Sequence, residues 1–250
     1  MTSAPLRFLA RFVYGVYTYT LFLTLGLTAL VGMVLPGLHR RRNVARAMSR
    51  TLLFFKGMPL VVKNLERIPP GQCVVVANHA SYLDGLVMTA ALPPRFGFVI
   101  KREMERVPVA GTLLRRLGSQ FVERFNRSRG GVDARRVLRT AVNGNSLVFF
   151  PEGTFDERPG LGKFHAGAFT IAARAGCPVV PAVVRGTRRA FPPKGAWPRP
   201  ARIEIEFLEP IVAVANAPDA AAVELRERAR LAILGELREP DLVAQQVAAA

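Results

Sequence analysis

The stretch Asn78-His79-Ala80-Ser81-Tyr82-Leu83-Asp84 holds one of the three histidines in this chain of 250 residues, with a carboxylate five positions further on. Such a pair has a definite chemical use. A carboxylate bonded to one ring nitrogen fixes the imidazole tautomer and leaves the other nitrogen free to accept a proton. Whether the two side chains can meet depends on the backbone between them. A continuous helix turns about 100° per residue and would set them roughly 140° apart. If His79 instead ends the apolar run Cys73–Ala77, its ring can fold back over the first turn of the next helix, with Asn78 and Ser81 as candidate caps. No Cys or Ser is spaced as an obvious nucleophile, so the group to be deprotonated is an alcohol. Taken alone, the pair more often marks a strand-end histidine beside an ordinary helix carboxylate.

A second constellation, Phe149-Phe150-Pro151-Glu152-Gly153-Thr154, again follows an apolar run directly. Pro and Gly force an irregular turn there, and Gly153 permits close approach of backbone to a ligand. A third, Gly118-Ser119-Gln120-Phe121-Val122-Glu123-Arg124, closes a short run on Arg124, whose guanidinium could bind phosphate bidentately. Lys101 closes another. In a parallel sheet ligands gather outside the carboxyl ends of the strands, and His79, Lys101, Arg124 and Glu152 all fall at such ends. Metal is not expected, because no paired His or Cys spacing resembles a ligand set.

These residues require strands. Apolar runs at Cys73–Ala77, Phe96–Ile100, Gln120–Glu123, Leu147–Phe150, Val179–Val184 and Ile203–Leu208 supply them. Several are continuous, as expected for strands covered on both faces. Helices are expected over Tyr82–Leu92, Val109–Leu117, Val132–Val142 and Ala166–Ala175, each ended by Pro or Gly signals. Glu224–Leu237 reads as a surface helix, with Leu225, Ala229, Ala232 and Ile233 on one side and Arg226, Glu227 and Arg230 on the other. The last ten residues read as frayed. Alternation of this kind predicts an α/β fold with a mainly parallel central sheet flanked by helices.

Charge is regional. The net charge is +17; nine Lys or Arg precede the first acidic residue, Glu66, and twelve basic against four acidic residues lie between Arg95 and Arg139. A fixed anionic partner is expected, either nucleic acid or an anionic membrane. Phe12 to Leu38 contains no formal charge over 27 residues, long enough as a helix to exceed the roughly 30 Å hydrocarbon core. Tyr14, Tyr17 and Tyr19 crowd one end as an interfacial belt would, and His39-Arg40-Arg41-Arg42 follows the other. A membrane-associated helical segment therefore precedes the fold, as a span or as a re-entrant hairpin. Nucleic acid is excluded, since the basic residues adjoin an apolar anchor and no recognised module occurs. The basic bias after the segment places the remainder on the cytoplasmic side of an inner membrane, with the arginines after Pro36 facing lipid head groups. Cys73 and Cys177, both in apolar runs, read as reduced core residues. The organisation expected is an anchor with a basic juxtamembrane segment over 1–56, an α/β domain over 57–238 and a tail over 239–250.

In order and spacing the motifs resemble the glycerolipid acyltransferase family that includes the 1-acyl-sn-glycerol-3-phosphate acyltransferases. Its first block is Asn78-His79 followed by Asp84, its second runs from Gly118 to Arg124, its third is Phe150-Pro151-Glu152-Gly153-Thr154, and its fourth is Val179-Val180-Pro181-Ala182-Val183. The likeness covers about Gly57 to Pro210. It implies acyl transfer from a thioester, acyl-CoA or acyl carrier protein, to the free hydroxyl of a lysophospholipid, foremost lysophosphatidate, with no metal, no cofactor and no acyl-enzyme. His79 would be the general base and Asp84 would hold its tautomer. Lys101, Arg124 and the Glu152-Gly153-Thr154 turn would hold the acceptor's phosphate and glycerol. Backbone N–H groups near the first block would receive the oxyanion.

Two positions depart from the family pattern: Val122-Glu123-Arg124 varies the second block, and His165 stands where a lysine is usual, with Lys163 as a possible cationic substitute. Another lysolipid acceptor, or a non-catalytic membrane-binding relative, are the competing readings.

Overall fold

The computed structural model describes residues 4–123, 127–194 and 197–248. The chain opens with two helices, α1 (Ala4–Gly32) and α2 (Leu38–Phe55), joined by a short turn through Pro36-Gly37. An alternating region follows: β1 (Leu60–Lys63), β2 (Val74–Ala77), α3 (Leu83–Ala91), β3 (Phe96–Lys101), α4 (Ala110–Arg116), β4 (Gln120–Val122), α5 (Arg127–Val142), β5 (Ser146–Phe149), α6 (Gly167–Ala175), β6 (Val179–Arg185), α7 (Thr187–Ala190), β7 (Ile203–Phe207), α8 (Pro218–Leu237) and α9 (Leu242–Ala248). Among the described residues the strands form one sheet in the order β1-β7-β6-β2-β5-β3-β4. Only the β6–β7 pairing is antiparallel. The expected α/β architecture with a mainly parallel sheet is the one observed.

Continuous apolar strands follow from two covered faces. In β2, Val74 and Val76 pack with Val137 of α5, Phe169 of α6 and Leu225 of α8. Cys73, Val75 and Ala77 point the other way, onto Leu53 of α2 and Val87 and Met88 of α3. Successive side chains of a strand alternate between faces, so both sets must be apolar. At roughly 25 cal/mol per Å² of apolar surface, these two clusters are the main stabilising term of the domain.

Several boundaries differ from the sequence expectation. β1 was not expected; it forms the edge of the sheet by pairing in parallel with β7. α5 starts at Arg127 rather than Val132 and runs through Gly130, where a Cβ would lie 2.9 Å from the Glu123 carbonyl. α8 starts at Pro218, the residue type suited to a first helical turn. The tail is not frayed: α9 forms, and Leu242 is buried.

The arginines after Pro36 also differ from expectation. Arg40 is exposed, but Arg42 donates to the carbonyls of Pro94, Arg95 and Leu117 at 3.3, 2.9 and 3.0 Å. Arg50 reaches the Ala90 carbonyl at 2.8 Å, and Arg46 reaches those of Ala90 and Ala91 at 3.4 Å. These carbonyls end α3, where cations are favoured by the orphan acceptors and the helix dipole. α2 is thus fastened to the domain by its own charges. The basic band further on is partly spent in the same way, since Arg102 and Arg136 both pair with the buried Asp133, at 2.5 and 3.2 Å.

Phe12–Gly32 is long and apolar enough to cross a membrane by length and composition, and 17% of its most apolar window is buried against the rest of the chain.

Candidate active site

The site forms where β2, β5 and β3 end side by side. His79 follows the last residue of β2 by two positions, and α3 begins only at Leu83, so the intervening backbone is free to turn. Ser81 makes that turn: its hydroxyl accepts the Leu83 N–H at 3.2 Å and donates to the Phe191 carbonyl at 2.7 Å. Asn78 is not a cap. Its amide donates to the Val184 carbonyl at 2.9 Å, and its carbonyl oxygen accepts the Val184 N–H at 2.7 Å, locking the end of β2 to β6.

The turn brings His79 Nδ1 to 2.7 Å from Asp84 Oδ2. The same oxygen accepts the Ala80 and Ser81 N–H groups at 2.7 and 2.9 Å, and Asp84 is fully buried. An oxygen that receives two backbone N–H bonds acts as a carboxylate acceptor, so Nδ1 carries a proton and Nε2 offers its lone pair. The imidazole is clamped by rings as well. It stacks on Phe150 at 4.4 Å between centroids, and Phe155 meets it edge-on at 4.8 Å.

Glu152 has both oxygens engaged inside the protein. Oε1 accepts the His79 N–H at 2.7 Å and Oε2 accepts the Gly162 N–H at 2.8 Å. Burial raises its pKa above the usual glutamate range, opposed by those two N–H donors and by the imidazole. Its place is a brace under the His79 backbone rather than an open ligand for glycerol or phosphate. The N–H groups of His79, Ala80 and Ser81 are likewise all committed to carboxylates, so they are not the oxyanion donors expected near this block.

Gly153 takes a left-handed φ of 79°, which turns the chain sharply after Glu152 and leaves Thr154 exposed beside it. Lys101 ends β3 with an exposed side chain, and its ammonium forms no ion pair among the described residues. Arg124, the expected phosphate ligand, lies outside the described residues. His79, Lys101, Gly153 and Thr154 share one cavity of about 540 Å³. From His79 it runs between the two N-terminal helices and the outer half of the sheet, past Phe22, Met48 and Leu113, to Phe96 at the opposite end of β3. The wall is mostly apolar, and its volume suits a flexible ligand of drug size or longer. That α1 and α2 form one side of this cavity was not legible beforehand, because an anchor and a pocket wall look alike as strings of apolar residues.

The family model described as Acyltransferase matches residues 59–185. The chain is 37% identical over 134 residues to the Brassica napus 1-acyl-sn-glycerol-3-phosphate acyltransferase BAT2, chloroplastic, a match covering 52% of this chain and 38% of that protein. It is 29% identical over 199 residues to the Bos taurus 1-acyl-sn-glycerol-3-phosphate acyltransferase alpha, covering 79% and 69%. The chain spans less than two fifths of the Brassica protein and about half of the Cocos nucifera relative, 53% of which is matched. Among solved structures, the Thermotoga maritima 1-acyl-sn-glycerophosphate (LPA) acyltransferase, PlsC, superposes with a TM-score of 0.75 at 21% identity, over 93% of this chain and 95% of that one. That likeness establishes the fold.

Proposed function

The chain belongs to the acyltransferase family, and we propose that it transfers an acyl group from a thioester donor to the free hydroxyl of lysophosphatidate, forming phosphatidate. The observation that carries this reading is the 2.7 Å contact between His79 and a fully buried Asp84 at the mouth of a long apolar cavity.

His79 Nε2 removes the proton from the acceptor hydroxyl as its oxygen attacks the thioester carbonyl. The C–O bond forms, the tetrahedral intermediate collapses, the C–S bond breaks, and the imidazolium returns the proton to the departing thiolate. Asp84 stabilises the imidazolium without taking its proton. Neither a metal nor a further cofactor is needed for these steps; acyl-CoA or acyl carrier protein supplies the acyl group. An acyl chain lies in the cavity, which excludes water and aligns the reacting carbonyl. Lys101 and Thr154, with Arg124, hold the acceptor phosphate, and Glu152 supports the base from behind.

Both substrates are amphiphiles, so a cavity walled by α1 and α2 draws them from the bilayer. We place the protein on an anionic membrane, with the catalytic domain on the cytoplasmic face of the inner membrane, in keeping with the basic residues that follow α1.

The test is transfer by the purified protein to a panel of lysolipids, with oleoyl-CoA and oleoyl-acyl carrier protein as donors. Lysophosphatidate is expected to be the preferred acceptor and His79→Ala to abolish transfer. Preference for a lyso-aminolipid or a lysophosphodiester would reassign the acceptor. Transfer that survives His79→Ala would defeat the mechanism.

A further inference from the structure

Between β5 and α6 the chain runs through residues 150–166 without a helix or an extended strand. This segment supplies Phe150, Glu152, Gly153, Thr154 and Phe155 to the site, so something must hold it. Loops of this length without secondary structure of their own are uncommon in compact domains and usually functional. Arg188 ties the middle of this one, donating to the Asp156 and Glu157 carbonyls, and the ties next to Gly162 come from α8 and the C-terminal tail.

Arg230, expected on the solvent face of α8, is turned inward instead. Its Nε donates to the Gly162 carbonyl at 3.1 Å and its Nη2 to the Leu161 carbonyl at 3.4 Å, while Asp241 grips its two terminal nitrogens at 3.1 and 2.5 Å. Asp241 also caps α9 by accepting the Val243 and Ala244 N–H groups at 2.9 and 3.2 Å. The tail adds three bonds of its own: Leu161 N–H to the Pro240 carbonyl at 2.9 Å, Leu242 N–H to the Leu161 carbonyl at 3.1 Å, and Gly160 N–H to Glu239 at 2.8 Å.

Two of these contacts converge on a single peptide unit. On one side, the Leu161 carbonyl receives a backbone N–H and a guanidinium. On the other, the Gly162 N–H donates to Glu152, whose second oxygen holds the His79 N–H. Peptide resonance links the two sides, because electron density drawn onto the oxygen makes the N–H a stronger donor.

The geometry points to Arg230 and Asp241 as positioning residues for the catalytic base: through the Leu161–Gly162 peptide and Glu152, the C-terminal tail sets where the His79 imidazole stands. The inference rests on the reading of His79 as that base. Arg230 holds the Asp241 carboxyl at a pKa of about 2, so the clasp keeps its charge throughout any assay near neutrality.

The test is a double-mutant cycle in the full-length protein, measuring kcat and KM for acyl-CoA with lysophosphatidate. Asp241→Ala and Arg230→Ala are each expected to lower kcat about ten-fold, with KM changed less than two-fold and the circular dichroism retained. Arg230→Lys is expected to recover part of the loss, since lysine can pair with Asp241 but has no fork for the two carbonyls. On a Glu152→Gln background, Asp241→Ala is expected to cost less than two-fold, because its route to the base has already been cut. A purely structural tail would give additive losses, and additivity overturns the inference. A kcat for Asp241→Ala within two-fold of the parent overturns it as well. Should Asp241→Ala not fold, Asp241→Asn keeps the helix cap and carries the same expectation of non-additivity. Transfer lost in His79→Ala but untouched in Asp241→Ala defeats this inference alone; transfer that persists in His79→Ala defeats the assignment of the base beneath it.

Discussion

The Glu152 carboxylate meets the backbone N–H of His79 at 2.7 Å across 73 positions of sequence. It joins the turn after β5 to the turn after β2, two neighbouring strand ends, and its other oxygen reaches Gly162. Replacing it tests whether that brace matters to the chemistry. In Glu152→Gln the amide oxygen can keep one N–H bond, but the NH2 group must then face the second N–H donor. The expected result is a fall in kcat of about 10- to 100-fold, the scale on which small misplacements of a catalytic group act. KM for the acceptor should change little; a rise in KM at constant kcat would make Glu152 a substrate ligand after all.

Asp84→Asn keeps the shape of the buried pocket and removes the charge. Its amide can accept from Ala80 and Ser81 through oxygen, or from His79 Nδ1, but one oxygen can no longer serve all three as an anion does. Transfer is expected to fall by about 10²- to 10⁴-fold, as for loss of general-base assistance. Steady-state rates, with folding followed by circular dichroism, check this.

Much of this site was legible because parallel strands put ligands at their carboxyl ends, so an apolar run followed by His79 or by Glu152 carried its own address. What stayed hidden was partnership. Asn78 looks like a helix cap and instead pairs with Val184. Arg230 sits on the polar side of an amphipathic pattern and yet is turned onto the Leu161 and Gly162 carbonyls. Arg42, Arg46 and Arg50 read as lipid-facing charge and serve as caps for carbonyls of the same fold. Long-range polar contacts of this kind leave no periodicity behind, because each depends on which loop the topology brings close. The role of the tail was invisible for the same reason.

The apolar cavity makes a prediction about donors. Ala45 of α2 lines it and is buried, so Ala45→Phe places a ring in the space proposed for the acyl chain. Activity with short-chain acyl-CoA should survive while that with long chains falls, and the ratio of kcat/KM between them should rise. Overpacking costs about 1–3 kcal/mol of stability at such sites, which lowers both activities alike and leaves the ratio informative. An unchanged ratio would move the chain elsewhere.

Acid stability should report on the clasp. An aspartate in an unfolded chain titrates at about 3.9, whereas Asp241 in the fold is held at about 2 by Arg230 and by the α9 N–H groups. Between these values the unfolded state binds more protons, so stability rises with pH. The contribution of Asp241 is complete above about pH 4 and disappears as the pH falls through 2. Urea midpoints of the parent and of Asp241→Asn should therefore differ at pH 6 and draw together below pH 4. A constant gap would mean that the charge of Asp241 adds nothing.

The contact between α1 and the domain can be followed through the one tryptophan of the chain. Trp197 lies edge-on to Phe12 at 5.8 Å and to Tyr19 at 6.3 Å, directly over Gly15. A Cβ at Gly15 would stand 2.1 Å from the indole, closer than any van der Waals contact, so Gly15→Ala must push the ring off the helix. Aromatic pairs of this geometry contribute about 0.5–1.5 kcal/mol beyond their buried area, and the indole, already partly exposed, then loses its cover of α1 rings. Its emission should move to longer wavelength in detergent-free buffer and back on addition of phosphatidylglycerol vesicles, where the freed ring can enter the interface. An emission spectrum identical to that of the parent in both conditions would show that α1 and the Trp197 segment are not in contact.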